Sequence, residues 1–279
     1  MPNHLPIEKQ IKATHALAEG ASICSIERQE DIHRDTIMRL GVRIGQKCAL
    51  LLDQSMRGLE CRNIQVDEIW GFVKKKARNV TPEDDPAEVG DAWTYVAMCA
   101  DTKLVPSHVV GKRDYEHTTK FTQDLASRMK NRFQLSTDGM NQYLATVDEA
   151  FGDEVDYGQI VKVYTNHWIG NDGERRYSPQ PFVKEVGKKA ICGAPDFAKI
   201  STSHVERQNL TMRTFMKRMT RLTCAFSKKM ENHKAAVALY FAYYNFVKLH
   251  KTLRCTPAMA AKVTNRLWTV KDLILWTPN

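Results

Sequence analysis

The chain has no run of about 18 apolar residues, the length a membrane-crossing helix needs, so no span is expected. Its opening, MPNHLPIEKQ, lacks an apolar stretch behind a basic start, so no leader is expected either. A cytoplasmic location is the resulting expectation. The cysteines, at 24, 48, 61, 99, 192, 224 and 255, are odd in number and include no C-x-x-C pair. That argues against a disulfide framework and a four-cysteine zinc site, and leaves them to be read as small buried hydrophobes. Nor is this the composition of a disordered chain, since 43% apolar and 26% charged residues is an ordinary globular balance. Acid is missing from one stretch in particular. From Arg207 to Lys229 there are Arg213, Lys217, Arg218, Arg221 and Lys228 but no Asp or Glu. Together with a formal net charge of +9, this points to a polyanionic partner.

The first 62 residues are nearly balanced in charge and read as a small helical domain. Ile7 to Glu19 suits one helix, Gly20 stops it, and residues 22–54 offer two more. Ile23 and Ile26, a break at Glu30-Asp31, an inward Ile32, then Thr36, Ile37 and Leu40 fit the spacing of a helix-turn-helix. Asp31 takes the turn position where Gly is usual, and Asp tolerates left-handed backbone better than most residues. On this reading His33, Arg34, Asp35 and Arg39 lie at the start and outer face of a helix that enters a DNA groove. A plain three-helix bundle is the blander alternative.

Beyond residue 62 the periodicity changes. Strands are expected at 64–73, 93–100 and 104–110, the last two forming a hairpin about Asp101 and Thr102. An amphipathic helix at 117–131 follows, then a strand, FQLST, running into Asp138, a helix at 140–151 and a strand at 160–164. Trp70 and Trp93 read as core, as do the aromatics of ALYFAYYNFVKLH.

The strand NIQVDEIWGFV carries two carboxylates, Asp67 and Glu68, in an otherwise packed segment, which is costly unless something positive meets them. If the first and fourth strands are neighbours, Asp67 approaches Asp138, and a divalent cation with hard oxygen ligands relieves their repulsion. Mg²⁺ is the expected ion, with Mn²⁺ able to replace it. A third acid is Glu206. Ser203 precedes it with capping-box spacing, and on a continuing helix Arg213, Lys217 and Arg221 fall near its angle, opposite Met212, Phe215, Met216, Met219 and Leu222. Alone, that face reads as solvated and salt-bridged; beside two strand acids it suits a phosphate backbone near bound metal.

The blocks VDEIWGFV, STDG and VERQNLTMR…AFSKKMENH resemble the three signature blocks of the IS1 family of transposases, within the DDE transposase and integrase group. The resemblance runs from about residue 64 to 262 and includes YYNFVKLHKTLRCTPAMAA. It implies an α/β, RNase H-like mixed sheet flanked by helices (63–262), behind the small all-α helix-turn-helix domain (1–62) and ahead of a helical tail (263–279). It further implies Asp67, Asp138 and Glu206 as metal-holding catalytic acids, with Glu68 a neighbour rather than a ligand. The implied function is an insertion-sequence transposase that binds terminal inverted repeats and, with Mg²⁺, cleaves DNA and joins it to a target. Its partners would be double-stranded DNA, both element ends and target, and further copies of itself, in a nucleoid-associated bacterial setting. Asn209 and Arg213 match the family block, and with Arg34, Arg39, Lys217 and Arg221 they are the expected DNA contacts. His204 and His250 are candidates for support of the site, each also readable as structural. Two features depart from the pattern: the cysteine zinc-binding segment of many relatives is absent, and 166–199 is a long segment, either an inserted element or a DNA-contacting loop. The alternatives are an inactive helix-turn-helix regulator and an RNase H-like nuclease that only hydrolyses.

Overall fold

The computed structural model describes residues 5–164 and 183–278. Three helices, α1 (Ile7–Ala18), α2 (Ile23–Glu30) and α3 (Arg34–Ser55), lead into strands β1 (Asn63–Val73), β2 (Gly90–Cys99) and β3 (Ser107–Gly111). Then come α4 (Tyr115–Arg128), β4 (Phe133–Asp138), α5 (Gln142–Phe151), β5 (Val155–Tyr164) and β6 (Val183–Cys192). Helices α6 (Ser203–Phe215), α7 (Met230–Phe246), α8 (Pro257–Ala260) and α9 (Val270–Leu275) complete the chain. The strands form one sheet in the order β3-β2-β1-β4-β5-β6. β1, β2 and β3 pair antiparallel, β1 with β4 and β4 with β5 pair parallel, and β6 returns antiparallel on β5. This is the RNase H-like mixed sheet, flanked by helices and preceded by a helical region. None of the described helices is long and apolar enough to cross a membrane.

Several expected boundaries move, each for a local reason. The third strand begins at Ser107 rather than 104, because Pro106 has no N–H to give a ladder and the N–H and C=O of Val105 are both bound by the Asn245 side chain. The fifth starts earlier, at Val155. β6 went unforeseen: VKEVGKKAIC alternates poorly and is rich in charge, as sheet edges often are. It forms part of 166–199; residues 165–182 lie outside those described.

The capping box at Ser203 does not form. The N-cap of α6 is Thr202, and the helix's first free N–H groups are taken instead by Gln65, whose Oε1 accepts from His204 N at 2.8 Å and Val205 N at 3.3 Å. α6 then ends at Phe215, so Arg213, Lys217 and Arg221 share no helical face. A 3₁₀ turn at Lys217–Met219 tucks Met219 into the core, while Leu222 is exposed.

The aromatics of α7 are buried as expected, and α7 is covered on nearly every side. α3 lies along it, closely enough that a Cβ on Gly45 would collide with the Ala235 carbonyl. One apolar cluster joins Ile26, Ile37 and Leu40 of the N-terminal helices to Phe121, Tyr143 and Phe241. Trp70 and Trp93, cross-strand partners, are only half-buried, with Lys76 over the first ring and Arg113 over the second. Cys48, Cys61 and Cys99 are buried, whereas Cys24 and Cys224 are exposed.

Candidate active site

Parallel pairing between β1 and β4 runs Asn63↔Gln134, Ile64↔Leu135, Gln65↔Ser136. Two residues further along each strand stand Asp67 and Asp138, on the same side by the period of two. Asp138 ends β4, where its Oδ1 accepts from Met140 N at 3.0 Å and turns the chain toward α5. Glu68, although adjacent to Asp67, joins the group through its longer side chain. Asp67, Glu68 and Asp138 each offer an oxygen within 4.8 Å of the others.

Crowding and burial act on these groups together. Burial, then the charge of Asp138, pushes Asp67 up to about 6 against a hydrogen bond from Asn209 that favours its anion; the charge of Glu206 also raises it. Burial and Asp138 likewise push Glu68 up to about 7. Glu68 is nevertheless well held: Arg113 Nη2 lies 3.1 Å and Nε 3.2 Å from its Oε2, and the Tyr143 hydroxyl donates to Oε1. Arg113 Nη2 is also 4.0 Å from Asp138 Oδ2.

α6 packs on the β1 face that carries Gln65 and Asp67. Asn209 Nδ2 donates to Asp67 Oδ2 at 2.9 Å. Glu206, one turn earlier, has its Oε1 held by Lys162 Nζ at 2.5 Å and the Thr202 hydroxyl at 2.8 Å. The structure therefore brings Asp67 and Asp138 together and sets Glu206 on the adjacent helix, close enough to affect Asp67 but outside the three-carboxylate group found among the described residues.

The expected DNA contacts fall in three places. Arg34 and Arg39 are exposed on the first turns of α3, beyond Asp31, whose φ of 50° makes the left-handed turn from α2. Arg213 is half-buried, its Nη1 donating to Met219 O at 2.5 Å, and burial lowers its pKa. Lys217 and Arg221 are exposed on the turn that follows. His204 and His250 gather at Lys103: its Nζ is 3.2 Å from His204 Nδ1, and its charge, after burial, lowers the pKa of each. His250 Nδ1 also meets the Thr252 hydroxyl at 3.0 Å.

Arg113, Tyr143 and Lys162 went unseen in the sequence. Arg113 fell between expected elements, Tyr143 in an expected helix and Lys162 in an expected strand, and only the folded chain reveals what they hold. The signal that was present was Glu68: a second buried acid demands a second set of partners.

The donor set is all oxygen, as a hard divalent cation prefers. The side-chain oxygen of Asn209, beside this set, is buried and has no hydrogen-bond partner. Residues holding an ion here would be Asp67 and Asp138, with Glu68 or Glu206 within reach of the same charge.

Residues 184–247, which carry Glu206, Asn209, Arg213 and the whole of α7, match the family model described as IS1 transposase. A search of curated proteins finds no match. Among solved structures the chain is similar to the piggyBac transposase in a synaptic complex with hairpin DNA, at 8% identity and a TM-score of 0.47, over 96% of this chain and 68% of that one. It is also similar to the Mos1 strand transfer complex, at 14% identity and a TM-score of 0.23, over 56% of this chain and 59% of that one, less than two thirds of its length.

Proposed function

We propose, from the similarity of residues 184–247 to IS1 transposases, that the chain is the DNA transposase of an insertion sequence, which binds the element's inverted ends and catalyses strand cleavage and strand transfer. The observation that carries the reading is that the matched segment is the one that docks α6 on β1, so that Asn209 meets Asp67 beside Asp138. A carboxylate pair pressed together by strand register, in a chain of net charge +9, suits a cation-dependent reaction on a polyanion.

Asp67, Asp138 and Glu206 are the acids assigned to hold Mg²⁺, or Mn²⁺ in its place. Bound divalent ions would supply charge that favours deprotonation of the attacking water or 3′ hydroxyl and stabilises the departing oxygen. The chain's own part is positional. Asn209 fixes one oxygen of Asp67, Arg113 and Tyr143 keep Glu68 satisfied behind the pair, and Lys162 holds Glu206 at the site's edge. Arg213, Lys217 and Arg221 supply cations for DNA phosphates, and His204 and His250 support the site, His204 by orienting a phosphate or water. Residues 1–62, with α2, Asp31 and the start of α3 as a helix-turn-helix, read the ends; 63–262 do the chemistry; 263–279 form a helical tail. Two ends must be cut and joined together, so at least a dimer is the working species, in the cytoplasm with the nucleoid.

The test is incubation of the full chain with Mg²⁺, labelled oligonucleotides bearing the element's ends, and target plasmid. Joined products support strand transfer. Nicked products alone favour a hydrolase, and binding without either favours a regulator.

A further inference from the structure

Asn209 is 7% exposed, and its amide is only half used. Nδ2 donates to Asp67 Oδ2 at 2.9 Å, while Oδ1 is buried with no hydrogen-bond partner. The orientation is the one that charge favours: the reverse would set a carbonyl oxygen against a carboxylate. An orphaned buried acceptor is costly unless a water or ion completes it. Covalent geometry keeps that oxygen next to the nitrogen that grips Asp67, and thus beside the group formed by Asp67, Glu68 and Asp138.

We propose that Asn209 is a positioning residue for a divalent cation at this site: its Nδ2 fixes Asp67, and its Oδ1 accepts a hydrogen bond from a water carried by the cation. The proposal rests on the reading of the carboxylates as a cation site, and adds to it a neutral oxygen from α6. Two features support it. Mg²⁺ gives up its waters reluctantly and needs acceptors for them as well as carboxylates for itself. In addition, Asn209 lies one helical turn from Glu206, so the same face of α6 would present a fixed acceptor and an acid to the ion. Loss of a partner that orients a metal ligand typically weakens metal affinity by about 10- to 100-fold.

The test measures Mn²⁺ affinity of the full-length chain without DNA, by electron paramagnetic resonance, for wild type, Asp138→Asn, Asn209→Leu and Asn209→Asp, with melting curves in the presence and absence of Mn²⁺. The expected result is loss of the high-affinity site in Asp138→Asn, affinity about 10- to 100-fold weaker in Asn209→Leu, and binding at least as tight as wild type in Asn209→Asp, where a charged oxygen replaces the neutral one. The melting temperature of Asn209→Asp should also rise more on adding Mn²⁺ than that of wild type. Wild-type affinity in Asn209→Leu, with Asp138→Asn impaired, would leave the carboxylates as the cation site and remove Asn209 from it. Wild-type affinity in both would sink the carboxylate reading and the proposal together. If Asn209→Leu does not fold, Asn209→Ala decides: a folded protein with wild-type Mn²⁺ affinity overturns the assignment.

Discussion

Asp67 and Asp138 stand side by side because β1 and β4 run parallel in a register that pairs Gln65 with Ser136, two residues before each of them. Neither side chain is placed by a loop. Strand register fixes the backbone positions from which the two carboxylates project, so the repulsion between them is built into the fold.

The first prediction separates chemistry from binding. Asp67→Asn, Asp138→Asn and Glu206→Gln should each remove cleavage and joining of end-bearing DNA, while binding to that DNA, followed by mobility shift, stays within a few-fold of wild type or tightens as repulsion from phosphate falls. Substantial joining by Asp138→Asn would remove it from the catalytic assignment.

The second concerns pH. The carboxyl of Asp67 moves from an ordinary 3.8 to about 6, and that of Glu68 from 4.5 to about 7. Both are raised, so the folded chain keeps protons that the unfolded chain has released. Their contribution to stability is complete below about pH 4 and is lost as pH rises through about 6 and 7. In chelator, wild type should therefore lose roughly 1 kcal/mol more than Asp67→Asn between pH 5 and pH 8, and Mg²⁺ should restore it at pH 8. Denaturant midpoints measured at the two pH values check this; parallel losses in the two proteins would contradict it.

Most of the scaffold around these acids could be read from residue order alone. β1 is rich in apolar, β-branched and aromatic residues around its two acids, FQLST runs into Asp138, and the helices between strands show their 3.6 period. That the first and fourth strands are neighbours was posed as a condition rather than read from the residues; the structure meets it with a parallel pairing. What could not be read depended on distant segments meeting. Gln65 supplants Ser203 at the start of α6, Asn245 takes the backbone of Val105, and Arg113 and Tyr143 converge on Glu68, each partner lying dozens of residues away. The wheel that placed Lys217 and Arg221 beside Glu206 assumed a helix that continues, whereas burial of Met219 and the bond from Arg213 to its carbonyl end that helix early.

A third prediction tests how the N-terminal helices are joined to the rest. Gly45 of α3 faces the backbone of Ala235 on α7, with no room for a Cβ, whereas Gly41 faces only the end of the Leu17 side chain. Gly45→Ala should lower stability by about 1–3 kcal/mol, as overpacking does, and Gly41→Ala by less, since Leu17 can shift. Thermal melts compare the two. An unaffected Gly45→Ala would show that α3 and α7 are not firmly packed together.

The fourth concerns salt. Lys217 and Arg221 are exposed on the turn after α6, in a stretch without acids. If both meet phosphates, changing them together to Ala should weaken binding to specific and random DNA alike and flatten the plot of log K against log salt by about one unit for each phosphate no longer neutralised. An unchanged slope would return them to the solvent-facing reading.

The last prediction divides recognition from chemistry. A helix fits the major groove and can read base edges, whereas a sheet carrying carboxylates meets chiefly the backbone. Arg34 and Arg39 are exposed at the start of α3, just past the left-handed Asp31, with Ile32 and Ile37 buried behind them. Arg34→Ala and Arg39→Ala should therefore reduce the preference for element ends over random DNA, at about 1–3 kcal/mol for each base edge no longer read. Nicking of unrelated DNA should persist, because the carboxylates are untouched. Both changes are confined to exposed side chains, so the melting temperature should stay close to wild type, and a competition assay between end DNA and random DNA reads the preference directly. Variants that kept the full preference would move the reader of sequence away from α3, to another basic surface of the chain.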